Sequence, residues 1–129
     1  MGLVYSEILL TNPVKPELTP LKVKCLADSG STYLCIPEHV ATQLGFDIVN
    51  PKQTREALLA DGSVRKKPYI GPIKVDFENR FCYVGALVLG DEVLLGAVPM
   101  EDMDLVIQPK LFQVTVNPDS PNIARGHVK

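Results

Sequence analysis

The chain has 129 residues, enough for one domain with an ordinary core and too few for two large ones. Hydrophobic residues make up 46% and charged residues 22%, a globular balance that excludes a disordered or low-complexity chain. A formal net charge of -2 gives no basis for binding nucleic acid or an anionic membrane, and no apolar run approaches the roughly 20 residues that span a bilayer.

Short apolar runs cut by 11 prolines and 9 glycines predict strands joined by turns. The first strand is expected over residues 3–10, closed by Thr11-Asn12-Pro13. Pro13, Pro16 and Pro20 make the following stretch a surface connection. The second strand, 21–27, carries Leu21, Val23 and Cys25 with lysines between them, so one face is buried and the other wet. It runs straight into Asp28-Ser29-Gly30, where glycine allows a sharp turn. A hydrophobic strand ending in a tight turn holds an acidic group at a fixed place.

Beyond the turn, Tyr33-Leu34-Cys35-Ile36 is apolar, and Pro37 opens a two-turn helix ending before Gly45. Val40, Ala41 and Leu44 form its apolar face. Strands at 53–59 and 64–70 flank Ala60-Asp61-Gly62-Ser63, and Asp-Gly in that setting is the strongest short-range hairpin signal in the chain. Gly71-Pro72 is expected to break the second of these strands. Further strands are expected at 73–77, 81–89 and 93–96. A helical turn is expected at 99–103, then closing strands at 105–107 and 113–116, and a polar tail over 117–129. The expected fold is one mostly-β domain over 1–116, closed or sandwich-like, with one or two short helices.

Cys25, Cys35 and Cys82 are widely spaced and read as buried reduced thiols. Neither His39 nor His127 has an acid partner in sequence, which disfavours a thiol protease, and no Cys or His spacing suits a metal. No basic segment leads into an apolar core at the N-terminus, so no signal peptide is expected and the cytoplasm is the expected compartment.

Asp28 is the candidate catalytic residue. Two carboxylates close together cannot both ionise, so one keeps a proton while the other acts as base on a water molecule. This chain carries one Asp-Ser-Gly, so a dyad needs a second copy, with Asp28 from each placed at a two-fold axis. By average usage the tripeptide arises by chance in roughly a few per cent of chains this long, and its residues also favour plain turns. The motif alone therefore does not decide.

Its setting resembles the retropepsin-like aspartic proteases, the single-lobe relatives of the retroviral enzymes. Leu26-Ala27-Asp28-Ser29-Gly30-Ser31 is similar to the family's strand and Asp-Thr/Ser-Gly motif, and Leu34-Cys35-Ile36-Pro37 to the segment next in the chain of small bacterial members. Ala60-Asp61-Gly62-Ser63 sits where the family has its flap, and Val93-Leu94-Leu95-Gly96 resembles its two apolar residues plus glycine. The resemblance covers about residues 3–116. It implies a closed acid-protease barrel and a cofactor-free, metal-free aspartic endopeptidase acting on an extended peptide as a homodimer, with no nucleic-acid or membrane partner.

By the same resemblance Asp28 is catalytic, the Ser29 hydroxyl cross-braces the two active-site loops, and Gly30 permits the turn. Ser31 hydrogen-bonds the aspartate. Leu94, Leu95 and Gly96 pack behind the loop, and Ala60, Asp61 and Gly62 form the flap tip. Ser29 stands where many members have Thr and keeps the hydroxyl. Ala97-Val98-Pro99 after Gly96 suggests a late or distorted helix, and the polar tail is unsuited to the interleaved terminal strands of the retroviral dimers. Asp61, Asp91 and Glu92 read as turn residues, Asp102 and Asp104 as solvated acids, and Arg65-Lys66-Lys67 as a run that keeps an edge strand soluble. The rival readings are a catalytically inactive protein-binding or dimerisation module on the same fold, and a plain β-domain without the threaded strand.

Overall fold

In the computed structural model, which describes residues 3–128, six strands close on themselves. β1 (Tyr5–Thr11) pairs antiparallel with β2 (Leu21–Ala27), and β2 runs parallel to β7 (Val93–Leu95). β7 meets β3 (Leu34–Ile36) antiparallel, and β3 runs parallel to β6 (Arg80–Val88). β6 pairs antiparallel with β5 (Val64–Phe77), which returns to β1 and closes the ring. The fold is thus mostly β, a closed barrel with two short helices, α1 (Glu38–Gln43) and α2 (Ala97–Asp102).

Alternation writes the barrel wall. Ile8 and Leu10 of β1, Cys25 and Ala27 of β2, and Ile73, Val75 and Phe77 of β5 point inward. The unbroken apolar run of β6 has a different cause. Ala86 and Val88 enter the main core, whereas Leu87 faces a second cluster with Cys35 and Ala57. Leu34 and Ile36 on β3 likewise face the core while Cys35 faces away from it. Both faces of this layer are covered, so neither carries the polar residues that would restore alternation.

Pro37 precedes α1, and Val40, Ala41 and Leu44 seat it on the core. The helix ends as the sequence predicts: Gly45, at φ 82, donates to the Thr42 carbonyl and Phe46 to that of Ala41. The buried Asn12 side chain donates to the Leu44 carbonyl at 2.7 Å and ties this end to the barrel.

Three local expectations change. Gly71-Pro72 does not end a strand; a register shift between Ile70 and Ile73 absorbs it, and β5 continues for 14 residues. α2 begins directly after Gly96, because Pro99 falls in its first turn, where a missing N–H leaves no intrahelical bond unmade. β8 (Leu105–Gln108) and β9 (Gln113–Val116) pair with each other and do not close the barrel, which β1 and β5 close instead.

Beyond β9, residues 117–125 are tied down by Asp104. Its carboxylate accepts from Ser120 Oγ at 2.5 Å, Asn117 Nδ2 at 3.0 Å and the Arg125 backbone N–H at 3.0 Å. The buried Arg80 lies 3.8 Å from the same carboxylate and donates to the carbonyls of Met103 and Ser120. Asp104 therefore serves as a tail anchor rather than a solvated acid.

Candidate active site

Asp28 begins one residue past β2, half-buried, at a point fixed from both sides. Its backbone N–H donates to the Leu95 carbonyl at 3.0 Å, and its carbonyl accepts the Ser31 N–H at 3.1 Å. The carboxylate is held too. Oδ1 accepts the Gly30 N–H at 3.0 Å and Oδ2 accepts the Ser31 hydroxyl at 3.1 Å. A backbone donor and a hydroxyl on opposite oxygens orient an acid without burying it.

Gly30 has no positive φ; a Cβ there would lie 3.2 Å from Asp28 Oδ1, close enough to press on the carboxylate it helps hold. Ser29 is exposed, and its hydroxyl has no side-chain partner among the described residues of the single chain. β7 threads behind the loop. Leu94 and Leu95 register with Leu26 and Ala27, and Leu94 also faces Cys35 across β3. Gly96 passes so close that a Cβ would meet the Tyr33 carbonyl oxygen at 2.2 Å and that of Ser31 at 2.7 Å. The Ala97 and Val98 N–H groups then donate to the carbonyls of Ser31 and Thr32, at 2.7 and 2.9 Å.

β4 (Thr54–Leu58) pairs with the first half of β5 and projects as a hairpin. At its tip Gly62, at φ 87, donates to the Leu59 carbonyl, and Ser63 donates to the Asp61 carboxylate through both N–H and hydroxyl. Those bonds hold the Asp61 carboxyl below its ordinary range. Ala60, Asp61 and Gly62 are all exposed at this tip.

The base of the hairpin bears on the Asp28 loop through a small apolar cluster: Cys35, Ala57 and Leu87, with Tyr33, Leu59, Tyr69, Leu89 and Leu94 around it. Cys35 is near enough to Asp28 to feel its charge; burial, and then that charge, push the thiol up to about 11. The sequence reading did not pick out Arg55, whose guanidinium lies 3.8 Å over the Tyr69 ring and 5.3 Å from Tyr33, the two rings meeting edge to face. Counting pairs back from the Asp-Gly turn would have placed it, because it lies on the same side of β4 as Ala57.

A cleft of about 750 Å³ lined by Asn12, Lys15, Asp47, Lys52, Tyr69 and Gly85 stops short of Asp28. Among the described residues no three His, Cys, Asp or Glu side chains gather as metal ligands would. No helix there is long and apolar enough to cross a membrane.

No family model and no curated protein matches the chain. Solved structures do. A retropepsin-like aspartic protease from Rickettsia conorii is similar with 27% identity and a TM-score of 0.56, over 74% of this chain and 67% of that one. The chain has a retropepsin-like fold. The retroviral protease-like domain of Ddi1 from Leishmania major shares the fold of the retropepsin-like chain at 14% identity and a TM-score of 0.55, over 92% and 90% of the two chains.

Proposed function

We propose that the retropepsin-like chain is an aspartic endopeptidase whose dyad is Asp28 from two copies. The observation that supports this most is the carboxylate held by Gly30 and Ser31 at the end of a barrel strand. One such half-site supplies one acid, and hydrolysis of an amide needs a base and an acid together.

In the dimer, one carboxylate takes a proton from a water molecule as its oxygen bonds to the peptide carbonyl carbon. The protonated partner supports the developing oxyanion. The C–N bond then breaks, the leaving nitrogen takes a proton from the dyad, and the shared proton is restored. Ser29 fits a bracing role between the two loops, since its exposed hydroxyl is free to meet the second copy. The hairpin ending in Ala60, Asp61 and Gly62 covers an extended peptide held by backbone hydrogen bonds. Leu94 and Gly96 act through packing, and Leu95 also holds the loop through its carbonyl, which accepts the Asp28 N–H.

The test is proteolysis of a complex peptide mixture at about pH 5, where a shared proton is populated, read by mass spectrometry. New termini with the wild type and none with Asp28→Asn are expected, together with a dimer by sedimentation. Equal, empty maps from two folded dimers would overturn the reading in favour of a binding module.

A further inference from the structure

The register of the hairpin splits the basic run Arg65-Lys66-Lys67 between two faces. Residues directly opposite each other in an antiparallel pair share a face, and faces alternate along each strand. Glu56 stands opposite Lys66, so those charges offset each other on one side. Arg55 stands opposite Lys67, and Ala57 opposite Arg65, on the other. This second side is the one turned to the Asp28 loop: Ala57 packs there with Cys35 and Leu87, and Arg55 stacks on Tyr69 and Tyr33. The underside of the arm thus carries three cations and no acid in its paired register.

None of the three is in an ion pair among the described residues, where the pairs are Lys22–Glu7, Lys74–Asp76 and Arg80–Asp104. Arg55 is half-buried with its guanidinium carbon 3.8 Å over the Tyr69 ring, a cation–π contact that uses the ring face and leaves its N–H donors without a carboxylate partner among the described residues. Asp61 at the hairpin tip feels the charge of Arg65, and Arg55 and Lys67 face each other without an acid, so in a chain of net charge -2 this side of the arm is locally basic beside an apolar wall.

We infer that Arg55, Arg65 and Lys67 select an acidic peptide, with apolar residues at the bond nearest Asp28 and Asp or Glu at the flanking positions beneath the arm. The apolar part is set by Tyr33, Leu59, Leu89 and Leu94, which line the half-buried surface beside the loop. The acidic part is set by charge complementarity with the stripe. This rests on the endopeptidase reading for the pose of the peptide, and binding and cleavage separate the two.

The experiment compares two fluorescent extended peptides with the same apolar centre, flanked by Glu in one and Gln in the other. Binding to the Asp28→Asn protein is read by anisotropy, so nothing is consumed. The Glu peptide should bind at least about tenfold tighter, and raising salt from about 0.05 M to 0.5 M should close most of the gap. In Arg65→Gln/Lys67→Gln on the same background, Arg65 being exposed and Lys67 half-buried, the Glu-to-Gln ratio should fall toward one while circular dichroism stays unchanged. Equal binding of the two peptides, a salt-independent gap, or an unchanged ratio in the double variant would overturn the inference. So would tighter binding of a single-stranded oligonucleotide of equal charge, which would assign the stripe to nucleic acid. Acid-selective binding by a protein whose wild type cuts nothing would sink the endopeptidase alone. Efficient cutting without acid preference would sink the inference alone.

Discussion

The Asp28 backbone N–H and the Leu95 carbonyl are joined at 3.0 Å, so the loop bearing the acid hangs from a strand near the far end of the barrel chain. That link requires β7 to slide under the loop, and Gly96 is where the fit is tightest. Gly96→Ala would force a methyl group into the Tyr33 and Ser31 carbonyl oxygens, which are backbone and cannot swing aside. A loss of about 3 kcal/mol is expected, the upper end of overpacking. Urea unfolding of Gly96→Ala beside the wild type checks it, and a loss under about 1 kcal/mol would mean the strand has room to move.

Ser31 tests the acid more gently. Its hydroxyl donates to Asp28 Oδ2, and Ser31→Ala removes that bond without opening the core. Turnover should fall roughly tenfold, about 1.4 kcal/mol of transition-state stabilisation, with a smaller change in KM. Ser31→Thr keeps the hydroxyl and should recover most of the rate. Steady-state kinetics on one peptide decide between a held carboxylate and a merely neighbouring one.

Much of this fold was legible because its signals are local. The 21–27 strand ends where its alternation ends, Gly45 stops α1, and Asp61-Gly62 turns the hairpin. Non-local facts were not legible. Gly71-Pro72 looks like a break until β6 is present to pair on both sides of the bulge. Arg65-Lys66-Lys67 reads as one charged run, and only the pairing with β4 puts its members on opposite faces. Asp104 reads as a surface acid because Ser120, Asn117 and Arg125 reach it from a tail whose sequence has no periodicity. At the candidate site, Asp28-Ser29-Gly30-Ser31 is one contiguous stretch, whereas Arg55 is placed only by counting the β4–β5 register back from the Asp-Gly turn, and its aromatic partners come from other parts of the chain.

The proposed dyad has a pH signature. Two neighbouring carboxylates that share a proton work on the acid side, and once both are ionised the acid needed by the leaving nitrogen is gone. Cleavage should peak in mildly acidic solution and decline steadily toward alkaline pH while the protein stays folded. A rate profile over that span, with circular dichroism at each point, checks this. A flat profile would count against paired carboxylates.

The three thiols should be inert in the native protein. All are buried, and burial is the main cause that raises Cys25 and Cys35 to about 11 and Cys82 to about 12, the latter helped by Asp102 and Asp76. At about pH 8 a thiol raised to about 11 is ionised in roughly one molecule per thousand, and the thiolate is the reactive form. A chromogenic disulfide should label native protein over hours and denatured protein within minutes. Rapid labelling of one site in the native state would reveal local opening there.

Asp104 sets an acid limit on the tail anchor. Hydrogen bonds from Ser120, the Arg125 N–H and Asn117 hold its carboxyl down to about 2, against an ordinary value of 3.8. Because the folded value is the lower one, its contribution is fully present above about pH 4 and is lost as pH falls through about 2. Asp104→Asn keeps a side chain that tolerates the positive φ of 55 at this position while removing the charge. The variant should melt several degrees below the wild type at neutral pH, and the difference should shrink between about pH 4 and about pH 2. Thermal unfolding across that range gives the comparison directly, since every other acid titrates alike in both proteins. Parallel curves would mean that the ion pair with Arg80 and the bonds to the tail do not depend on the ionised carboxylate.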